Sequence, residues 1–357
     1  MWIFIFNYIT IPIYNFLFKE KKYFITVVAC QLFLLIALSD LSIGADTLTY
    51  SDAFSVFSKA KFQDLVKDFN LLRGIKVGSY RFEPGYVFLN WILGKCGFSF
   101  RMFLILYAAF CIISVTKFID QYSQDACFSF CLFLALGMYG YYFGIIRQSI
   151  AVSILLFSIN SIKKRQIFKF FILVFIAFLF HKIALIFLPF YFVANIKLTK
   201  KTYEIHFFLW VVELLCLPIV INRIVLPIME KISKGHYVHL DIQHNYLIVA
   251  MLIVAILAYF FINFDTFFQT KENMLACWGM LLAIYMELIG LYVLVLARAV
   301  ISIYFIFVVV LVPNVIKAYP NKKIAIAGKT AILVLSLLFL IRELPDSYLI
   351  PYKFFFQ

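Results

Sequence analysis

"IAFLFHKIALIFLP", residues 176–189, sets a histidine and a lysine side by side in the middle of an apolar run. No other charged residue occurs between Phe170 and Ile196, and a lysine held at the centre of a bilayer costs on the order of 3 kcal/mol by insertion scales. The flanks resolve the conflict. "KKR" at 163–165 and "KLTKK" at 197–201 are both strongly basic, and basic loops stay on the cytoplasmic side of a membrane. The apolar stretch between them must therefore go out and come back, with His181 and Lys182 at the tip of a helical hairpin. Each arm has only about 14 or 15 residues, roughly 21 to 22 Å of helix against about 30 Å of hydrocarbon. The tip is then recessed below the outer surface, where a polar cavity would hydrate it.

The rest of the chain has the same character. Of its 357 residues 65% are hydrophobic and 14% charged, with a mean hydropathy of +0.98, which excludes an ordinary soluble domain. The expected fold is an all-α polytopic integral membrane protein, one transmembrane domain over residues 1–357 with about 11–12 transmembrane helices. Spans are expected near 23–40, 101–119, 126–144, 147–162, 166–180, 183–196, 204–222, 246–263, 274–296, 299–318 and 325–341. Residues 1–18 add an N-terminal apolar segment without the charge-first order of a cleavable signal, and Pro12 favours an interfacial helix over another span. Residues 41–100 form one long outer loop, in which Gly85–Leu93 is apolar but too short to cross and is expected to dip into the membrane and return. With "KEKK" at 19–22 inside, the inner loops carry fifteen Lys or Arg in 44 residues and the outer segments fifteen in 106, a contrast that supports this orientation.

The net charge of +14 follows from those short basic loops, so it argues for orientation in a membrane and not for nucleic acid. Anionic phospholipid and an anionic lipid-linked substrate remain natural partners. The seven cysteines lie in or beside apolar runs without CxxC spacing, the pattern of small buried hydrophobes. No DxD pair, nucleotide-binding loop, HExxH or GxSxG occurs, so no metal or other cofactor is expected.

The same layout gathers the remaining polar residues at one level. "YYFGIIRQSIAV" puts Arg147 and Gln148 at the outer start of a span, and "VLARAVISIY" does the same for Arg298. The outer loop adds Asp46 and Tyr50 from "GADTLTY", and Tyr80, Arg81, Glu83 and Tyr86 from "YRFEPGY". A lone arginine at an interface ordinarily snorkels to headgroups and a lone histidine ordinarily packs; three spans presenting Arg, Arg and His together point to a site. Arginine forks pair bidentately with phosphate oxygens, so two of them suit a diphosphate leaving group. A histidine or glutamate beside them suits deprotonation of an attacking hydroxyl. The assembly describes glycosyl transfer from a lipid diphosphate.

The order "GADTLTY", "EPGY", "RQSIA" before a basic loop, "FHKIALIFLP" and a late "ARAVISIY" resembles the EpsG family of Wzy-type polymerases of bacterial surface polysaccharide, from about residue 23 onward. The resemblance implies a multi-pass inner-membrane glycosyltransferase that joins oligosaccharide repeat units carried on undecaprenyl diphosphate, at the periplasmic face, into O-antigen, capsule or exopolysaccharide. It also implies a chain-length regulator protein as partner. Carried over by motif, Asp46, Tyr50, Glu83, Arg147, Gln148, His181 and Arg298 are the site. Arg147 and Arg298 are assigned to the diphosphate, His181 to proton abstraction with Glu83 as rival base, and Arg81, Tyr86 and Tyr304 among others to sugar. Lys182 departs from the family, which commonly has a small residue after the histidine, and adds a third cation. The competing classes are a lipid-linked oligosaccharide flippase, which calls for internal repeats, and a membrane O-acyltransferase, which calls for these residues to face a cytoplasmic acyl donor.

Overall fold

The computed structural model describes residues 1–225, 227, 246–291 and 303–357. The chain is 77% helical with almost no sheet. Among the described residues four helices are long and apolar enough to cross a membrane: Phe100–Tyr122, Lys200–Ile224, Lys271–Gly290 and Lys322–Glu343. The pair Ala126–Ala135 and Met138–Gly144, bent by 57°, makes a fifth if it is one span. Other expected spans are shorter apolar helices, among them Ile167–Phe180 and Lys182–Val193. The protein is a multi-pass membrane protein, and its chain divides into two compact units: Met1–Tyr191 with Ala327–Gln357, and Phe192–Ile326.

Unit 1 opens with α1 (Trp2–Leu17) and α2 (Lys21–Ala37). The outer loop expected over 41–100 is folded throughout: α3 (Thr47–Lys59), α4 (Phe62–Lys67), an antiparallel hairpin β1 (Ile75–Val77) and β2 (Tyr80–Phe82), and α5 (Pro84–Lys95). The apolar run 85–93 is thus the body of a 12-residue helix with Pro84 in its first turn, where proline loses no hydrogen bond. Next come α6 (Phe100–Tyr122), α7 (Ala126–Ala135), α8 (Met138–Gly144), α9 (Ile146–Lys163) and α10 (Ile167–Phe180). Helix α9 lies at the centre, packed on α6 and α10. Its inward serines, Ser149, Ser153, Ser158 and Ser161, are buried, and small side chains of this kind let helices in lipid approach closely.

The hairpin expected at His181 is present. Helix α10 stops there because His181 is extended (φ −159°, ψ 128°), and the chain continues as a 3-10 helix (Lys182–Phe187) and α11 (Leu188–Val193). The return arm lies along the outgoing one, with Phe170 against Phe187 at 6.0 Å and against Tyr191 at 5.0 Å between ring centroids.

The two ends of unit 1 differ in kind. At the basic end Lys21 pairs with Asp120 at 2.7 Å and Lys329 with Asp125. At the other end the C-terminal tail lies across the loop after α2. Asp40 N–H donates to the Lys353 carbonyl (2.9 Å), Phe355 N–H to Leu38 (3.0 Å) and Gly44 N–H to Tyr348 (2.9 Å). The Arg101 guanidinium closes this end by donating to the Ala37 and Ser39 carbonyls at 3.0 and 2.7 Å, with Phe355 stacked on it at 4.5 Å.

Unit 2 contains α12 (Lys200–Val220), α13 (Tyr246–Phe261), α14 (Phe264–Phe267), α15 (Lys271–Gly290) and α16 (Ile306–Ala318). Buried polar groups tie these helices together: Tyr203 hydroxyl to Ala255 carbonyl (3.0 Å), and Asn314 Nδ2 to Asn273 Oδ1 (2.8 Å). Helix α17 (Lys322–Glu343) carries the chain back into unit 1.

Gly44 has φ +92°, and a Cβ on it would lie 2.5 Å from the Phe143 carbonyl oxygen. Gly44→Ala therefore combines left-handed strain of about 1 kcal/mol with a backbone clash, and should lower the melting temperature in detergent by several degrees. Gly140→Ala, whose Cβ meets only Leu349 Cδ1 at 3.2 Å, should change it little; equal melting of the two variants would contradict this packing.

Candidate active site

Arg147 stands in the first turn of α9, where the positive end of the helix dipole disfavours a cation. It is also mostly buried, its side chain 21% exposed. Such a charge needs a partner. Glu83, 10% exposed, supplies it: Arg147 Nη1 donates to Glu83 Oε2 in an ion pair. Glu83 is at the same time the residue before the first turn of α5, where the helix dipole favours an acidic side chain.

The rest of the guanidinium is held by aromatic groups. Nε donates to the Tyr50 hydroxyl at 3.3 Å, and the Phe82 ring lies 4.2 Å from the guanidinium carbon. Burial pushes the Tyr50 phenol above its ordinary pKa against the pull of Arg147. It therefore stays protonated, and its hydrogen remains available to an acceptor. Among the described residues Nη2 makes no hydrogen bond.

Three close approaches bring these residues together. Thr47, at the start of α3, donates its hydroxyl into the region of the Ile43 and Phe143 carbonyls, both 2.7 Å away. With Gly44 seated on Phe143 and Gly144, this docks the "GADTLTY" segment three residues before Arg147 and sets Tyr50 beside it. In β2 the alternation of a strand puts Tyr80 and Phe82 on one face and Arg81 on the other. Phe82, Tyr50 and Tyr86 then pack in a triangle with centroid separations of 5.6 to 5.7 Å. Finally, Gly85 lies against α10, where a Cβ would meet the Leu179 carbonyl oxygen at 2.8 Å. That contact sets the Glu83 turn beside the hairpin tip, so that His181 feels the charges of both Glu83 and Arg147.

His181 Nδ1 accepts a hydrogen bond from Ile183 N–H at 3.3 Å. The neutral ring must then carry its proton on Nε2, and it presents a donor. Lys182 is exposed, Gln148 is buried, and Tyr86 is fully buried with its hydroxyl unpartnered. Asp46 is exposed and its carboxylate caps no backbone N–H. Arg81 is directed elsewhere: its Nη2 donates to Asp68 at 2.9 Å and its Nη1 to the Gly74 carbonyl at 3.4 Å. Tyr304 belongs to unit 2, where it is buried against Phe307. Arg298 lies outside the described residues. Unit 1 thus unites Tyr50, Glu83, Arg147 and His181, with Tyr86 packed on Tyr50 and Asp46 and Lys182 exposed beside them in the chain.

Phe82 and Thr47 belong to this site as well, although they carry no chemistry that draws attention in the sequence. The period of two in "YRF" was the available signal for Phe82; for Thr47 there was none, because its partners are carbonyls 96 positions away.

The EpsG family model matches residues 22–354. The chain belongs to the EpsG family. Membership agrees with the order of the four described motifs, and it supports a role in polysaccharide polymerisation. No curated protein and no solved structure gives a match.

Removing one partner of a mostly buried ion pair costs about 3 kcal/mol because the other charge is left uncompensated. Glu83→Gln and Arg147→Gln should each lower the melting temperature, and the double variant should melt above the sum of the two losses. Additive losses in this double-mutant cycle would show that the pair is not coupled.

Proposed function

We propose that this EpsG-family protein polymerises oligosaccharide repeat units linked to undecaprenyl diphosphate into surface polysaccharide, O-antigen, capsule or exopolysaccharide, at the periplasmic face of the bacterial inner membrane. The observation that supports it best is Arg147: a mostly buried, permanently charged fork whose orientation is fixed on three sides and whose Nη2 makes no hydrogen bond among the described residues. It stands at the end of α9 opposite Lys163–Arg165, about 24 Å of helix away.

In this reading the donor's diphosphate lies at Nη2 of Arg147, near the N-terminus of α9, a position that favours anions. His181 donates from Nε2 to a phosphate oxygen and Lys182 adds charge from the exposed side. As the bond between the anomeric carbon and the phosphate oxygen breaks, negative charge grows on the diphosphate, and prearranged donors stabilise it more than they stabilise the bound substrate. The Tyr50 hydroxyl and the aromatic faces around it meet sugar, whose rings have apolar faces and polar edges.

The decisive experiment mixes purified protein with the host's own repeat unit on synthetic undecaprenyl diphosphate and resolves products on a gel. Wild type should give a ladder. Arg147→Ala should lose at least about 100-fold in rate, the loss typical of removing one preorganised donor to developing charge. Arg147→Lys, which keeps charge without the fork, should fall between. A ladder of unchanged length and yield from Arg147→Ala at normal protein levels would remove the proposal's centre.

A further inference from the structure

The site holds donors for the leaving group, but the acceptor's hydroxyl must also lose a proton, and the two residues whose chemistry first suggests a base are already engaged. Glu83 is spent on the Arg147 ion pair; protonating it would leave that buried guanidinium without its counter-charge. His181 has its lone-pair nitrogen, Nδ1, committed to Ile183 N–H at 3.3 Å, and presents Nε2–H instead. Its available face gives a proton and does not take one.

The carboxylates of the outer segment divide in the same way. Asp40 accepts from Ser42 N–H and Oγ at 2.9 and 2.7 Å, Asp64 from Lys61 N–H at 3.1 Å, and Asp68 from Arg81 at 2.9 Å. Asp46 and Asp52 have no hydrogen bond or ion pair on their carboxylates among the described residues. On α3 positions four apart share a face and positions two apart do not. Asp46 stands just before α3 and its carbonyl accepts the Tyr50 N–H at 3.0 Å, one helical turn away; Asp52 follows Tyr50 by two, a spacing that does not share a face. Asp46 is exposed while Arg147 and Glu83 are mostly buried. The order through the site is therefore buried cation, Tyr50, exposed carboxylate.

We propose that Asp46 is the general base of the transfer reaction, an inference that rests on the polymerase reading above. The acceptor sugar's hydroxyl oxygen forms the new bond to the donor's anomeric carbon while its proton passes to the Asp46 carboxylate. The bond from that carbon to the phosphate oxygen breaks, and its electron pair leaves with the diphosphate at Arg147 and His181. Asp46 then returns the proton to water at its exposed face. No oxidant, reductant or further reactant enters the balance. The arrangement keeps the Asp46 carboxylate on the exposed side of the site, away from the anionic leaving group, whose binding its charge would otherwise weaken.

The test compares wild type, Asp46→Asn, Asp46→Ala and Asp46→Glu in the purified polymerisation reaction, with kcat and the donor KM measured separately. Because the Asp46 carboxylate makes no structural hydrogen bond, all four should extract and melt alike. Asp46→Asn should lose about 100-fold or more in kcat, the lower end for general base catalysis, with the donor KM within about twofold of wild type. Asp46→Glu should retain at least about tenfold more activity than Asp46→Asn, because it keeps a carboxylate one methylene further out. Added formate should raise the rate of Asp46→Ala but not that of Arg147→Ala. A kcat for Asp46→Asn within about threefold of wild type, or a loss confined to KM, would overturn the assignment while leaving the polymerase reading intact. Absence of any polymer from wild type with its native repeat unit would overturn the polymerase reading and this inference with it.

Discussion

A guanidinium in a mostly buried position at the N-terminus of α9 is the constraint from which this end of unit 1 is organised. Neither a mostly buried position nor the helix dipole tolerates Arg147 alone, so Glu83 must reach it, and everything that positions Glu83 becomes obligatory. The turn into α5 sets the carboxylate, Pro84 starts that helix without losing a hydrogen bond, and Gly85 admits the Leu179 backbone where any side chain would collide. The same contact fixes the hairpin tip that carries His181. An electrostatic requirement at one residue is thus converted into close backbone packing among four elements.

The second support comes from the chain's far end. The tail after α17 pairs with residues 38–44 through backbone hydrogen bonds, and Gly44 passes that restraint to Phe143 and Gly144, just ahead of Arg147. Tyr352 reinforces it, donating its hydroxyl to the Leu35 carbonyl at 2.7 Å and setting its ring edge-on against Phe143 at 6.3 Å. Loops ordinarily supply the mobile part of a protein; here the loop bearing Asp46 and Tyr50 is anchored from both sides. Rigid placement of this kind is what preorganised stabilisation of charge demands.

Much of this was legible in the sequence, and the divide follows the range of the interactions. The hairpin at His181 followed from two basic loops around an apolar run too short to be two full spans, which is local information. The grouping of Arg147, Glu83, Tyr50 and His181 followed from topology, because charges in lipid collect where they can be paired. The orientation of Arg81 did not. A strand of three residues gives too little alternation to identify without its partner, and its salt bridge to Asp68 is thirteen positions away. The folding of residues 41–100 into helices and a hairpin was also hidden, since hydropathy separates spans from non-spans and is silent on structure between them. The hydrogen-bond state of His181 was beyond reach, because it depends on an extended backbone at one residue.

That last detail changes how the charges of the site divide the work. With Nδ1 of His181 occupied and Glu83 facing Arg147, neither of these two groups offers a free acceptor to a proton among the described residues. Glu83 also tempers what Arg147 can hold. In the proposed reaction an arriving diphosphate would add at Nη2 of Arg147 without displacing the carboxylate, so part of the guanidinium's charge would stay compensated throughout. A site with the cations alone would bind the departing diphosphate as tightly as the reactant, or more so, and turnover would stall on release. Retaining an anion beside the arginine sacrifices ground-state affinity while keeping the preorganised geometry that acts on the transition state. If the proposed polymerase reaction holds, an enzyme that must release a lipid diphosphate after every transfer gains from that balance.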